Sequence, residues 1–161
     1  MILVSACLVG CRCRYDQGAK PYDPVIALVR EGKAVPVCPE QMGGLPTPRL
    51  PAEIVGGDGD DVLDGRARVV NAAGEDVTDQ FLAGAREALR MAEAAGAKAA
   101  VLKERSPSCG SAAIYDGTFQ GAVRPGQGVT AALLRRHGIA VFSEETWTEE
   151  GRPEETGGVR R

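Results

Sequence analysis

Residues 2–6 form a short, mainly apolar run that begins almost at the first residue and predicts a buried strand. A polar loop follows through Lys20. Asp23 then stands where a helix N-cap belongs, with Pro24 at the first helical position and Gly32 as the stop. Between them Val25, Ile26, Leu28 and Val29 supply an apolar face. Residues 34–37 are the next short strand. From residue 38 to residue 61 the chain turns rich in Gly and Pro, and the pattern predicts a long loop of the kind that often carries function. Residues 66–71 offer an extra strand or hairpin arm.

Thr78 can cap a long helix that reaches Ala95 and is ended by Gly96. Its Phe81, Ala85, Ala88, Leu89 and Ala92 recur at helical spacing, which predicts a helix lying on a sheet. Residues 99–103 are a third strand. A loop to Gly128 precedes a helix over 129–136, closed by Gly138, and residues 139–142 are a fourth strand. Strands alternating with helices predict an α/β fold, a mainly parallel three-layer Rossmann-like sheet of about four to five strands. The length of 161 residues suits one domain, over residues 1–147, with residues 148–161 as a flexible polar tail.

Composition narrows the picture. Apolar residues make up 43% of the chain but aromatic ones only 4%, so the core must be built from Val, Leu, Ile and Ala. A net charge of −3 gives no basic face for a polyanion, and no stable nucleic-acid complex is expected. The opening MILVSACLVG lacks the basic segment of an export signal, and no stretch is long enough to cross a membrane. A cytoplasmic protein is expected, in which thiols stay reduced and serve metals or catalysis more often than disulfides. Five cysteines, an odd number, agree with that.

The chemistry lies in where those cysteines fall. Cys7 comes just after the first strand, Cys38 just after the second and Cys109 in the loop after the third, while Ser143, Glu144 and Glu145 follow the fourth. In a parallel sheet these strand ends share one edge, where ligands bind at the crossover point. Each cysteine also has Gly or Pro nearby, in SACLVGCRCRYD, VCPEQMGG and SPSCGS, which lets backbone approach a bulky ligand. Soft thiolates suit zinc or iron–sulfur clusters, but the paired Cys-x₂-Cys spacing of zinc sites is absent. His137, the only histidine, falls at a helix C-terminus and reads as a helix-end residue rather than a ligand. The Gly56–Asp61 stretch GGDGDD carries carboxylates that would repel a phosphate. Spacing and composition lead to a metal-holding thiolate site at the strand ends.

At these same segments the chain resembles the thiouracil desulfidase (TudS-like) family, a bacterial family formerly catalogued as a domain of unknown function. The resemblance rests on ILVSACLVG with CRYD, CPEQMGGLPTPRLPAEI, DVTDQFLAGA, LKERSPSCGSAAIYDGTFQG and GVTAALLRRHGIAVFSEE, in order over nearly the whole chain. CPE and SPSCG are its most specific parts. Cys11 is a local addition, and YDQGAK departs from the commoner YDG, which bears on the entrance loop. The resemblance implies a [4Fe–4S] cluster held by Cys7, Cys38 and Cys109, with one iron open to the substrate sulfur. Cys13 is the rival ligand, or a thiol behind the ligands.

The activity so implied is a non-redox, hydrolytic removal of sulfur from thiouracil or thiouridine, giving uracil or uridine and hydrosulfide. Glu40 is then the candidate for moving the protons of the attacking water, and Ser106 for hydrogen-bonding substrate or water, ahead of Ser108. A plainer reading has Glu40 pairing with Arg49 and Ser106 holding its turn. Lys103 is expected either to pair with a carboxylate near the site or to face solvent. The alternative functions are a non-catalytic metal- or cluster-binding protein, which would use Cys13 as a fourth ligand, and a persulfide sulfur carrier. The carrier needs one activated cysteine, for which Cys109 is the candidate.

Overall fold

A computed structural model describes residues 1–147, together with the backbone of Glu155–Thr156 paired antiparallel to Val159–Arg160. The rest of the tail expected over 148–161 lies outside the described residues. Four short strands, β1 (Ile2–Ser5), β2 (Ala34–Val37), β5 (Ala99–Leu102) and β8 (Ala140–Ser143), form one fully parallel sheet in the order β2-β1-β5-β8. These are the four strands read from the apolar runs. β1 and β5 are buried at every residue, because they are central and covered on both faces.

The covering helices obey their amphipathic patterns. On one face α1 (Asp23–Arg30) sets Val25 and Leu28 against Ile2, Val4 and Val101, with Trp147 in the same cluster. On the other, α4 (Thr78–Ala94) and α5 (Val129–Arg136) bring Ala88, Ala92, Ala131 and Leu134 onto Leu3, Ala100, Leu102 and Val141. The sheet therefore lies between two helical layers. The long helix spans the expected residues, but its cap differs. Asp76 accepts the N–H of Thr78 at 2.9 Å, while the Thr78 hydroxyl accepts the N–H of Val69 at 2.8 Å. Asp23 likewise is the first helical residue, preceded by Tyr22 as the cap.

The Gly- and Pro-rich stretch is not one long loop. It contains α2 (Pro39–Met42), β3 (Ala52–Val55) and α3 (Gly59–Leu63). β3 pairs antiparallel with β4 (Arg68–Asn71), which supplies the expected hairpin arm with its partner, and Ile54, Val62 and Val69 pack against Phe81 and Ala85 of α4. The loop expected before Gly128 also holds a small antiparallel pair, β6 (Ala113–Tyr115) and β7 (Val123–Pro125). Strands of three or four residues among turn residues have too short a pattern to declare themselves.

α2 crosses α4 at backbone contact. A Cβ on Gly84 would collide with the carbonyl oxygen of Pro39, and one on Gly43 with that of Gln80. Glycine at both positions lets the short helix sit down on the long one, and this fixes the height of Cys38 and Glu40 above the sheet.

Candidate active site

The carboxyl ends of β1, β2 and β5 open on a cavity of about 650 Å³. Cys7 reaches it from the 3-10 turn Ala6–Val9 that continues β1, Cys38 from the residue capping α2, and Cys109 from the β5–β6 loop. Cys13 lines the same cavity. All five cysteines are free, and Cys11 is exposed and outside the cavity lining. The strand-end argument thus brings together the three thiols it singled out. His137 caps the C-terminus of α5 and lies outside the cavity lining.

The thiols differ in their surroundings. Burial pushes the Cys7 thiol up to about 11, with Arg14 and Lys103 opposing and Cys38 and Glu144 adding to the rise. Cys109 is pushed well up by burial, only partly offset by a hydrogen bond with Ser5. That environment opposes an activated persulfide at Cys109. Cys38 and Cys13 share a hydrogen bond, which draws the Cys38 thiol down to about 7 and, together with burial, raises Cys13. Cys38 Sγ also lies 3.8 Å from the carbonyl oxygen of Cys13, which accepts from it.

Glu40, in the first turn of α2, is tied firmly through one carboxylate oxygen and more loosely through the other. Nε of Arg49 donates to Glu40 Oε1 at 2.9 Å and Nη2 lies 2.7 Å from the same oxygen. The buried guanidinium also donates to the carbonyls of Cys13 and Pro46 and to the Thr47 hydroxyl. Glu40 Oε2 faces the Ser106 hydroxyl at 3.5 Å. Ser106 Oγ accepts the N–H groups of Ser108 and Cys109, each at 3.0 Å, so it holds the SPSCG turn while directing its own proton to Glu40. Both plain roles, the Arg49 pair and the turn, are thus present alongside the cavity position. The Ser108 hydroxyl instead bonds Thr130 at 2.7 Å inside the core.

Lys103 pairs with Glu144 at 3.0 Å and donates to the carbonyl of Glu104. Two residues here escaped the sequence reading. Ser5 bonds the Cys109 thiol and accepts the N–H of Lys103. Glu104 is buried, and its carboxylate accepts the N–H groups of Ser111, Ala112 and Ala113 and the Ser111 hydroxyl. The only signal for it was a carboxylate two residues before SPSCG and two past a buried strand.

The donor set consists of thiols without imidazole. Among the described residues no three His, Cys, Asp or Glu side chains are grouped closely enough to hold a single metal ion. Thiolates around one zinc lie ~4 Å apart. Three thiols that line one cavity without that grouping suit a multi-atom iron–sulfur cluster, whose ligands bind separate irons.

The family model for 2-thiouracil desulfurase matches residues 2–146. The chain belongs to the 2-thiouracil desulfurase family. A relative from Bacillus subtilis (strain 168), the uncharacterized protein YbbK, is 54% identical over 144 residues, 89% of this chain and 95% of its own. Among solved structures, the [4Fe–4S]-dependent thiouracil desulfidase TudS superposes with a TM-score of 0.80 at 50% identity, covering 90% of this chain and 91% of that one. The parallel α/β architecture is therefore that of the desulfurase family. Among the described residues no helix is long and apolar enough to cross a membrane.

Proposed function

We propose that this chain is an enzyme that removes sulfur hydrolytically from a thiolated pyrimidine, as free base or nucleoside, at a [4Fe–4S] cluster held by Cys7, Cys38 and Cys109. The single observation that carries the proposal is the convergence of these three thiols with Glu40 and Ser106 on one cavity. Family membership and the likeness to TudS support it. Cys13, hydrogen-bonded to Cys38, is then a thiol behind the ligands.

When bound, the cluster supplies a Lewis-acidic iron that suits a soft thiocarbonyl sulfur. The chain's own residues manage water. Arg49 anchors Glu40 Oε1 and leaves Oε2 toward the cavity, where it can take a proton from the water that attacks the thiocarbonyl carbon. Ser106, its oxygen filled by two amide donors, has one proton to give to Glu40 or to the substrate. The proton held by Glu40 returns as sulfur departs, so that thiocarbonyl and water become carbonyl and hydrogen sulfide with no net electron transfer. The reaction belongs in the cytoplasm, where the thiols stay reduced.

Anaerobic purification with iron and sulfide analysis, followed by a 4-thiouracil turnover assay, tests this. About four irons and four sulfides per chain, with uracil formed, are expected. E40Q should keep the cluster and lose at least ~10²-fold in kcat. Zinc alone, or a loaded cluster without uracil formation, would overturn the reading.

A further inference from the structure

The matched segment AAIYDGTFQG has a placement that the water-handling machinery does not explain. It forms β6 and the turn into β7, and Tyr115, Phe119 and Gly121 line the cavity. The protein has one Trp, three Tyr and three Phe. Trp147 and Phe81 are fully buried, and Tyr22 and Phe142 pack against the apolar cluster below the sheet. The exposed aromatic residues among those described are Tyr15, Tyr115 and Phe119, and all three line this one cavity. An aromatic-poor chain has thus set every exposed ring at a single mouth.

Phe119 is held there at some cost. Its φ is +60°, a left-handed conformation that bulky residues rarely adopt. The turn is pinned from below by Glu53 of β3, a buried carboxylate whose Oε1 accepts the N–H of Gly117 at 2.9 Å and of Phe119 at 3.1 Å. Asp116 Oδ1 accepts both the N–H and the hydroxyl of Thr118. Gly117 lies so close to β3 that a Cβ would stand 2.6 Å from the carbonyl oxygen of Ile54. With all this bracing, the Phe119 side chain still joins none of the three apolar clusters and stays 37% exposed. Tyr15 already carries the Arg14 guanidinium 5.9 Å from its ring centroid, so its face is engaged. The Phe119 ring is open to a ligand.

We infer that Phe119 is a substrate-binding residue, the braced aromatic wall on which the flat pyrimidine ring stacks while its thiocarbonyl points to the thiol end of the cavity. The inference rests on the desulfuration reading for its substrate. It makes ring recognition a matter of binding, separate from proton transfer at Glu40. Stacking of a base on an aromatic side chain, when removed, weakens binding by about tenfold or more.

The test compares cluster-loaded wild type with F119A, F119L and F119Y. Expected for F119A is a roughly tenfold rise in KM for 4-thiouracil and in the inhibition constant of uracil, with kcat within about twofold and iron content unchanged. F119L, which keeps apolar bulk but lacks a π face, should fall between, and F119Y should match wild type. An F119A enzyme with unaltered KM and uracil inhibition, or an F119L enzyme equal to wild type, would overturn the inference. Should loaded wild type fail to turn over 4-thiouracil, the desulfuration reading fails instead. Calorimetric titration of wild type and F119A with 4-thiouracil then decides the stacking on its own, equal affinities or no binding counting against it.

Discussion

Two loops frame the cavity, and they are built in opposite ways. The β5–β6 loop that carries Cys109 sends its hydrogen bonds into the body of the protein. The carbonyls of Pro107 and Ser108 take the first free N–H groups of α5, those of Val129, Thr130 and Ala131, and Gly128 donates to Gly110. Ser106 and Glu104 fill the remaining amides from within. The loop after β1, residues 10–20, is largely exposed, and its tip is closed only by local bonds, Arg14 to Gly18 and Gln17 to Arg14. It is tied back by Lys20 to Cys7 and by Arg49 to Tyr15 and Cys13. The first loop is a fixed anchor whose carbonyls double as a helix cap, and the second is an entrance that tolerates change. The departures from the family pattern, Cys11 and YDQGAK, fall in the second.

The largest test of this contrast is cluster retention. C109A is expected to drop iron from about four to below one per chain, with loss of the visible absorption. C13A, from the tolerant loop, should keep the cluster. Its loss in C13A as well would make Cys13 a ligand and erase the distinction.

Next in size is the anchor itself. Burial alone would raise the Glu104 carboxyl, but the Ala112 amide, the Ser111 hydroxyl and the amides of Ala113 and Ser111 outweigh it and hold it down at about 2. Around it stand Arg135, which senses its charge, and the Lys103–Glu144 pair, with Glu144 accepting the N–H of Glu104. E104Q places an amide donor against donors and should cost about 2 kcal/mol in denaturant unfolding. The folded carboxyl ionises more readily than its usual value of 4.5. The stability gap between wild type and E104Q should therefore be full above about pH 4.5 and shrink as pH falls toward 2. A gap that does not change with pH would mean the carboxylate charge is not what holds the loop.

The smallest effect is expected at Cys11, exposed and outside the cavity group. C11S should leave iron content and turnover unchanged and shift stability by less than about 0.5 kcal/mol. A measurable loss of cluster would show that the entrance loop is less tolerant than its bonding suggests.

The same contrast governs what could be read from the chain. β1, β2, β5 and β8 stood out because buried parallel strands are plain apolar runs, and α4 because five apolar residues repeat on one face. Cys7, Cys38 and Cys109 followed from strand ends sharing an edge. β4 was legible as an arm over residues 66–71, but its partner β3 and the β6–β7 pair were hidden because antiparallel partners of three or four residues depend on contacts distant in sequence. Glu104 and Ser5 were missed for a related reason. Their work is done through loop amides and a thiol whose positions exist only after folding. Phe119 was visible as a matched letter, but its left-handed backbone and the buried carboxylate beneath it were not.

The order β2-β1-β5-β8 also carries a timetable. Of the four parallel strands the earliest in the sequence is an interior one, and Ile2 must pair with both Ala34 and Ala99. A chain emerging from the ribosome leaves one edge of β1 unpaired until β5 has been made, and the SPSCG loop stays uncapped until α5 follows. Cys7 and Cys38 therefore wait, unaccompanied, for Cys109. Any cofactor that needs all three thiols can be loaded only after the β5–β6 loop has been made, well after β1 and β2.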